Sequence, residues 1–109
     1  MTLVITTHRV PESSMTIAIA PQGGIKAENA HMLHDRVIAV LAATRPRRIV
    51  VDLSAVPSID EAGIDALRAG QDVASAQEAS LVVADPDPRV REQLRRRGVT
   101  QVLDRSVPV

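Results

Sequence analysis

Four carboxylates crowd one stretch of the chain, Asp52, Asp60, Glu61 and Asp65. Paired carboxylates perform general acid–base chemistry or hold hard cations. Either use needs a second acidic cluster or a glycine-rich cradle to complete the site, and the sequence supplies neither. The commoner role fits better: Asp60 stands where a helix begins and caps it, and Glu61 in the first turn complements the helix dipole. His31 and His34, three residues apart, could face one metal, but two imidazoles alone make a weak ligand set. They read as a solvated helix face. Gly23-Gly24 lacks the third glycine of a dinucleotide fingerprint and reads as a turn. Arg89, Arg91, Arg95, Arg96 and Arg97 form a basic stretch that could meet phosphates or an acidic partner, with a solvated face as the simpler reading. Ser54, Ser58 and Thr44 carry hydroxyls that could accept a phosphoryl group, and no spacing singles one out. With no nucleophile beside a base, the expectation is a binding module and not an enzyme.

Composition narrows the partners. The chain has 109 residues, no Cys and no Phe, Tyr or Trp. Disulfides, thiolate metal sites and cysteine nucleophiles are therefore excluded. So are the aromatic platforms on which single-stranded nucleic acids stack. Thirteen basic residues offset thirteen acidic ones, leaving no overall field to attract nucleic acid or an anionic membrane. No apolar run approaches the roughly 20 residues that span a bilayer, and the N-terminus shows no leader pattern. The expectation is a cytoplasmic protein of one domain, residues 1–109, with 106–109 frayed, that needs no cofactor and binds neither nucleic acid nor membrane.

The elements that would position these residues follow from periodicity. Leu3–Thr7 and Met15–Ala20 alternate with period two, which predicts two strands, with Leu3/Ile5 and Met15/Ile17/Ile19 each on one face. Pro11–Ser14 supplies a turn and hence an antiparallel pairing. From Asn29, a plausible N-cap, Leu33, Val37 and Leu41 recur at helical spacing, and the helix should stop before Pro46. Ile49–Leu53 and Leu81–Ala84 are short β-branched runs suited to central strands covered on both faces. Between them Glu61 to about Gln77 reads as a helix with Ile64, Leu67 and Ala74 inward. Asp87-Pro88 opens a third helix, Pro88–Arg97, and Gly98 closes it. Val99–Leu103 would add a short strand or pack over the sheet. The expected fold class is α/β, a mixed four- to five-stranded sheet covered by helices in the order β-β-α-β-α-β-α.

The segment Val50-Val51-Asp52-Leu53-Ser54, then Ser58-Ile59-Asp60-Glu61-Ala62-Gly63-Ile64 and Leu67, resembles the central signature of STAS domains, in particular those of bacterial anti-sigma factor antagonists. In those proteins a strand ending in Asp-Leu-Ser leads through a loop to Asp, two small residues and Gly at a helix start. Gly23-Gly24-Ile25-Lys26 followed by Asn29-Ala30 and Leu33 is similar to the family's first strand-to-helix junction.

The resemblance implies a non-enzymatic protein that binds an anti-sigma factor, which doubles as a serine kinase, and so regulates transcription. Its contact surface would comprise Lys26, Ser54, Ser58, Asp60, Glu61, Ala62, Gly63, Ile64 and Leu67. The family's phosphorylated serine directly precedes the glycine, and here that position is Ala62, which has no hydroxyl. Lys26 falls where the family commonly has an acid, so it could pair with Glu61 across the surface. Glu61 could imitate a phosphate, but one carboxylate is a poor substitute for a group of about −1.5 to −2 charges, and an ordinary contact is favoured. An alternative implied partner is the ATPase of a lipid-transport ABC system, because STAS subunits of such assemblies can also have Ala before this Gly.

Overall fold

The computed structural model describes residues 3–11, 13–99 and 102–103. The alternating N-terminal segments form β1 (Val4–Val10) and β2 (Ser13–Gln22), paired antiparallel with a register shift at Arg9/Val10. β2 starts inside the expected turn, and Glu12 lies outside the described residues. Ile17 and Ile19 are buried as the alternation requires, whereas Met15, on the same face, is exposed beyond the covered part of the sheet.

β3 (Arg48–Asp52), β4 (Ser80–Ala84) and β5 (Val102–Leu103) continue the sheet in the order β1-β2-β3-β4-β5, with β2 through β5 mutually parallel. Each parallel step needs a crossover, and α1 (Ala30–Thr44), α2 (Glu61–Ala76) and α3 (Pro88–Arg96) supply them. All three steps run in one direction across the sheet. Because such crossovers are right-handed in nearly every case, the helices gather on one face. There Ile17, Ile19, Ile49, Val51, Leu81 and Val83 join Leu33, Val37, Leu41, Ile64, Leu67, Ala74, Val90 and Leu94 in one core. The expectation of covering on both faces holds only in part. Val50 and Ala84 are buried and Val82 is half-buried, yet none belongs to the helix-packed core.

The helix boundaries have local causes. α1 ends at Thr44, where Arg45 takes a left-handed conformation (φ 44°) ahead of Pro46. α3 starts on Asp87, whose side chain accepts from Arg89 N, with Pro88 in its first turn, and Gly98 (φ 79°) follows its end. The expectation for the chain beyond Leu103, fraying at 106–109, falls outside the described residues, as do Thr100 and Gln101. Among the described residues no helix is long and apolar enough to cross a membrane.

The parallel register has a consequence for function. β2 and β3 end at the same edge of the sheet, so the segments that follow them, residues 23–29 and 53–60, leave it side by side. In open α/β sheets the edge at the carboxyl ends of parallel strands is where binding sites form.

Candidate functional site

The two segments are sewn together through their backbones. Gly23 N donates to Ala55 O, Ile25 N to Ser58 O and Asp60 N to Ile25 O, each at 3.0 Å, and Ile25 and Ile59 form an isolated parallel bridge. Ile25, Leu53, Val56 and Ile59 turn their side chains into the core, so the connection has an apolar underside and an exposed polar rim.

Asp60 is the knot of this arrangement. Its backbone is extended (φ −106°, ψ −174°), and one carboxylate oxygen accepts from Gly63 N at 3.1 Å, capping α2 as expected. The other accepts from Ala27 N at 3.0 Å, tying the helix start to the neighbouring segment. Both oxygens of the Asp60 side chain thus hold backbone N–H groups and brace the turn.

Asn29 departs from its expected role. Its side chain makes no cap bond to α1. Oδ1 accepts from Lys26 N at 2.8 Å and Nδ2 donates to Gly24 O at 3.0 Å. Only 5 % exposed, Asn29 closes the Gly24–Asn29 turn on itself, since the local backbone groups offer both of its amide atoms a partner.

The remaining site residues divide by burial. Ser54, Ser58, Glu61 and Lys26 are exposed, and Ala62 is half-buried against the core. Ile64 and Leu67, at 2 % and 1 % exposure, point into the core together with Gly63. Gly63 and Leu67 lie off the face that carries Glu61, whereas Ile64, one turn on, adjoins it. Their burial anchors the start of α2 to the core. Gly63 must be a glycine for that purpose, because a Cβ there would lie 2.6 Å from Ile59 Cγ1 and 2.8 Å from Ile25 Cγ2.

The expected Lys26–Glu61 pair is also corrected. Glu61 makes its ion pair with Arg97, the residue that follows α3. The Glu61 side chain is 80 % exposed and that of Arg97 40 %, so the pair lies on the surface. Beside it a shallow cavity of about 200 Å³ is lined by Glu61, Ile64, Gln93, Arg96 and Arg97. The other arginines behave as surface groups: Arg95 and Arg96 both bond Glu92. Hydrogen bonding from Arg95 holds the Glu92 carboxyl below the usual carboxylate range.

Among the described residues no group of three or more His, Asp or Glu is placed to hold a metal ion. The arrangement is an exposed polar rim, carrying Lys26, Ser58, Glu61 and Arg97, over a buried apolar underside.

The model of the STAS domain family matches residues 7–107. Among solved structures, an anti-sigma factor antagonist from Mycobacterium paratuberculosis is 20% identical with a TM-score of 0.80, over 94% of this chain and 86% of that one. The Bacillus cell fate determinant SpoIIAA in its phosphorylated form is 12% identical with a TM-score of 0.74, over 94% and 92%. The murine Slc26a9 anion transporter is 16% identical with a TM-score of 0.71, over 83% of this chain but only 16% of the transporter. At such identities the likeness establishes the fold. No curated protein sequence matches the chain.

Proposed function

The chain belongs to the STAS domain family, and from that premise we propose that it is a non-enzymatic anti-sigma factor antagonist acting in the cytoplasm. It binds an anti-sigma factor of the serine-kinase type and regulates transcription by sequestering it. The observation that carries this reading is the braced turn around Asp60, which holds Lys26, Ser58, Glu61 and Ala62 at the carboxyl edge of the parallel strands. Arg97 adjoins this surface through its pair with Glu61 and Ser54 is exposed in the same loop, while Gly63, Ile64 and Leu67 anchor the start of α2 to the core.

Ala62 cannot take a phosphate, so the switch expected from the resemblance is missing at that position. The ion pair with Arg97 supports an ordinary contact role for Glu61, because a neutralised carboxylate imitates a phosphate even less well than a free one. Equilibrium binding of the purified chain to each kinase-type anti-sigma factor of the same genome tests the proposal. Saturable binding that weakens on Lys26→Glu supports it. Failure to bind any of them, with co-purification of an ABC-type ATPase, would overturn it in favour of the transport-subunit reading, which the Ala62-Gly63 pair also suits.

A further inference from the structure

The last two turns of α1, residues 37–44, contain no charged side chain. Val37, Val40 and Leu41 are buried in the core, whereas Ile38, Ala39, Ala42 and Ala43 are exposed. An exposed helix face is ordinarily polar, and a helix that is apolar all round is ordinarily covered on every side. The outward face of α1 instead carries a large apolar side chain, Ile38, at 37 % exposure. An open cavity adjoins it where α1 and α2 end, lined by Leu41, Ala42, Arg45, Pro46 and Gln77.

Charges flank this face. Asp35 stands one turn before Ile38 with its side chain 75 % exposed, and Nδ1 of its neighbour His34 lies 3.9 Å from its Oδ1. Arg45 is exposed just after the last turn, and among the described residues it makes no ion pair. Asp35, Ile38, Ala42 and Arg45 follow the three-and-four spacing of a single stripe along a helix. Arg45 leaves the helix in a left-handed conformation (φ 44°) but still shares the cavity wall with Ala42. The stripe therefore runs acid, large apolar group, small apolar group beside a cavity, base, and in reverse it is its own complement. On a second copy laid antiparallel, position 35 meets 45 and position 38 meets 42 in one register, because both pairs are centred on residue 40. A two-fold axis there makes each contact twice.

We propose that the outer face of α1 is the interface of a symmetric dimer of this chain. The two α1 helices pack antiparallel, with Ile38 of each copy entering the cavity beside Ala42 of the other. Asp35 of each copy pairs with Arg45 of the other, and the small Ala39 and Ala42 let the helices approach closely. With contact confined to one helix per copy, the dimer belongs with the small, exchanging interfaces, below about 1,200 Å² in total. The cavity opens where α1 and α2 end, whereas the rim around Asp60 lies where they begin. Pairing through α1 therefore leaves both rims exposed and makes the dimer bivalent.

Sedimentation of the full chain from about 1 μM to about 1 mM tests this. A monomer–dimer equilibrium is expected, weakened about tenfold or more by Ile38→Glu, which would bury an unpaired charge. Asp35→Arg alone and Arg45→Asp alone should each weaken it to a similar degree, since each sets like charges opposite one another twice. Mixed in equal amounts, these two variants should associate with each other, because each supplies the charge the other lacks. All three substitutions fall on exposed residues, and aspartate tolerates the left-handed conformation at position 45; circular dichroism checks that the variants stay folded. A chain that remains monomeric throughout overturns the proposal and leaves the face to a different protein. A dimer indifferent to the substitutions, or a mixture that fails to recover association, overturns it as well.

Discussion

A methyl group at Gly63 has nowhere to go. It would be forced against Ile59 Cγ1, Ile25 Cγ2 and, at 3.0 Å, Ile25 O. Ala outranks Gly in a helix by about 1 kcal/mol, but overpacking a filled site costs about 1–3 kcal/mol, and the backbone oxygen cannot swing aside. Gly63→Ala is therefore expected to lower stability in urea denaturation, and an unchanged or raised midpoint would show that the two loops yield easily. Asp60→Ala removes both the α2 cap and the acceptor of Ala27 N, so its cost should reach or exceed the ~1–2 kcal/mol of a lost cap. Arg97→Ala breaks only an exposed ion pair, worth about 0–1 kcal/mol. The same denaturation series should leave it near wild type. If Arg97→Ala proved as damaging as Asp60→Ala, the Glu61 pair would be structural and not a mere surface contact.

Among the elements, α3 and β1 are held by side chains whose contributions can be isolated. Hydrogen bonding from Arg95, with smaller effects of Arg95 and Arg96 charge, lowers the Glu92 pKa from its ordinary 4.5. A carboxyl whose folded pKa lies below its unfolded value contributes stability above the unfolded value. That contribution is lost as pH falls through the lowered folded value. Glu92 should thus titrate below pH ~4.5 in NMR, and Arg95→Ala should move it back up. At the sheet edge, Arg36 Nη1 donates to Ile5 O at 3.1 Å and to Thr7 Oγ1 at 2.7 Å, linking α1 to β1. Edge elements open at lower free energy than central ones. Arg36→Ala should speed amide exchange in β1 and leave β3 protected; equal acceleration in both would mean that β1 opens only with the whole sheet.

At the scale of the molecule, the apolar core and the exposed rim around Asp60 occupy different layers. Ile49 in β3 is fully buried, and Ile49→Ala should cost about 2–5 kcal/mol. Lys26→Glu alters an exposed residue, and its effect on stability should stay within about 0.5 kcal/mol. Calorimetry of the two variants beside the binding assay checks the separation. A Lys26→Glu protein that melted like Ile49→Ala would mean that the rim is part of the core's cooperativity. A larger cavity, about 490 Å³ and lined by Leu41, Ala42, Arg45, Pro46 and Gln77, opens where α1 and α2 end, away from the start of α2.

Much of this was legible in the residues alone, and the limit has a physical cause. Asp60 as a cap, Pro88 at the start of α3, Gly98 after its end and the inward Ile64 and Leu67 are written within a turn or two of chain. Capping, φ preference and periodicity act at that range. The element order and the crossover rule then imply the mixed sheet. The clasp of Asn29 on Gly24 and Lys26 escaped because Asn ahead of a helix signals a cap equally well. The bridge between Ile25 and Ile59, the second bond of Asp60, the choice of Arg97 over Lys26 as partner of Glu61 and the approach of Ser58 to Gly24 join residues from different segments. Sheet register and helix packing bring those segments together, and no local signal records which side chains then meet. The residues in order were enough for the elements and the fold class. Only the tertiary structure decided which charges and hydroxyls share the surface, because that depends on contacts between segments far apart in the chain.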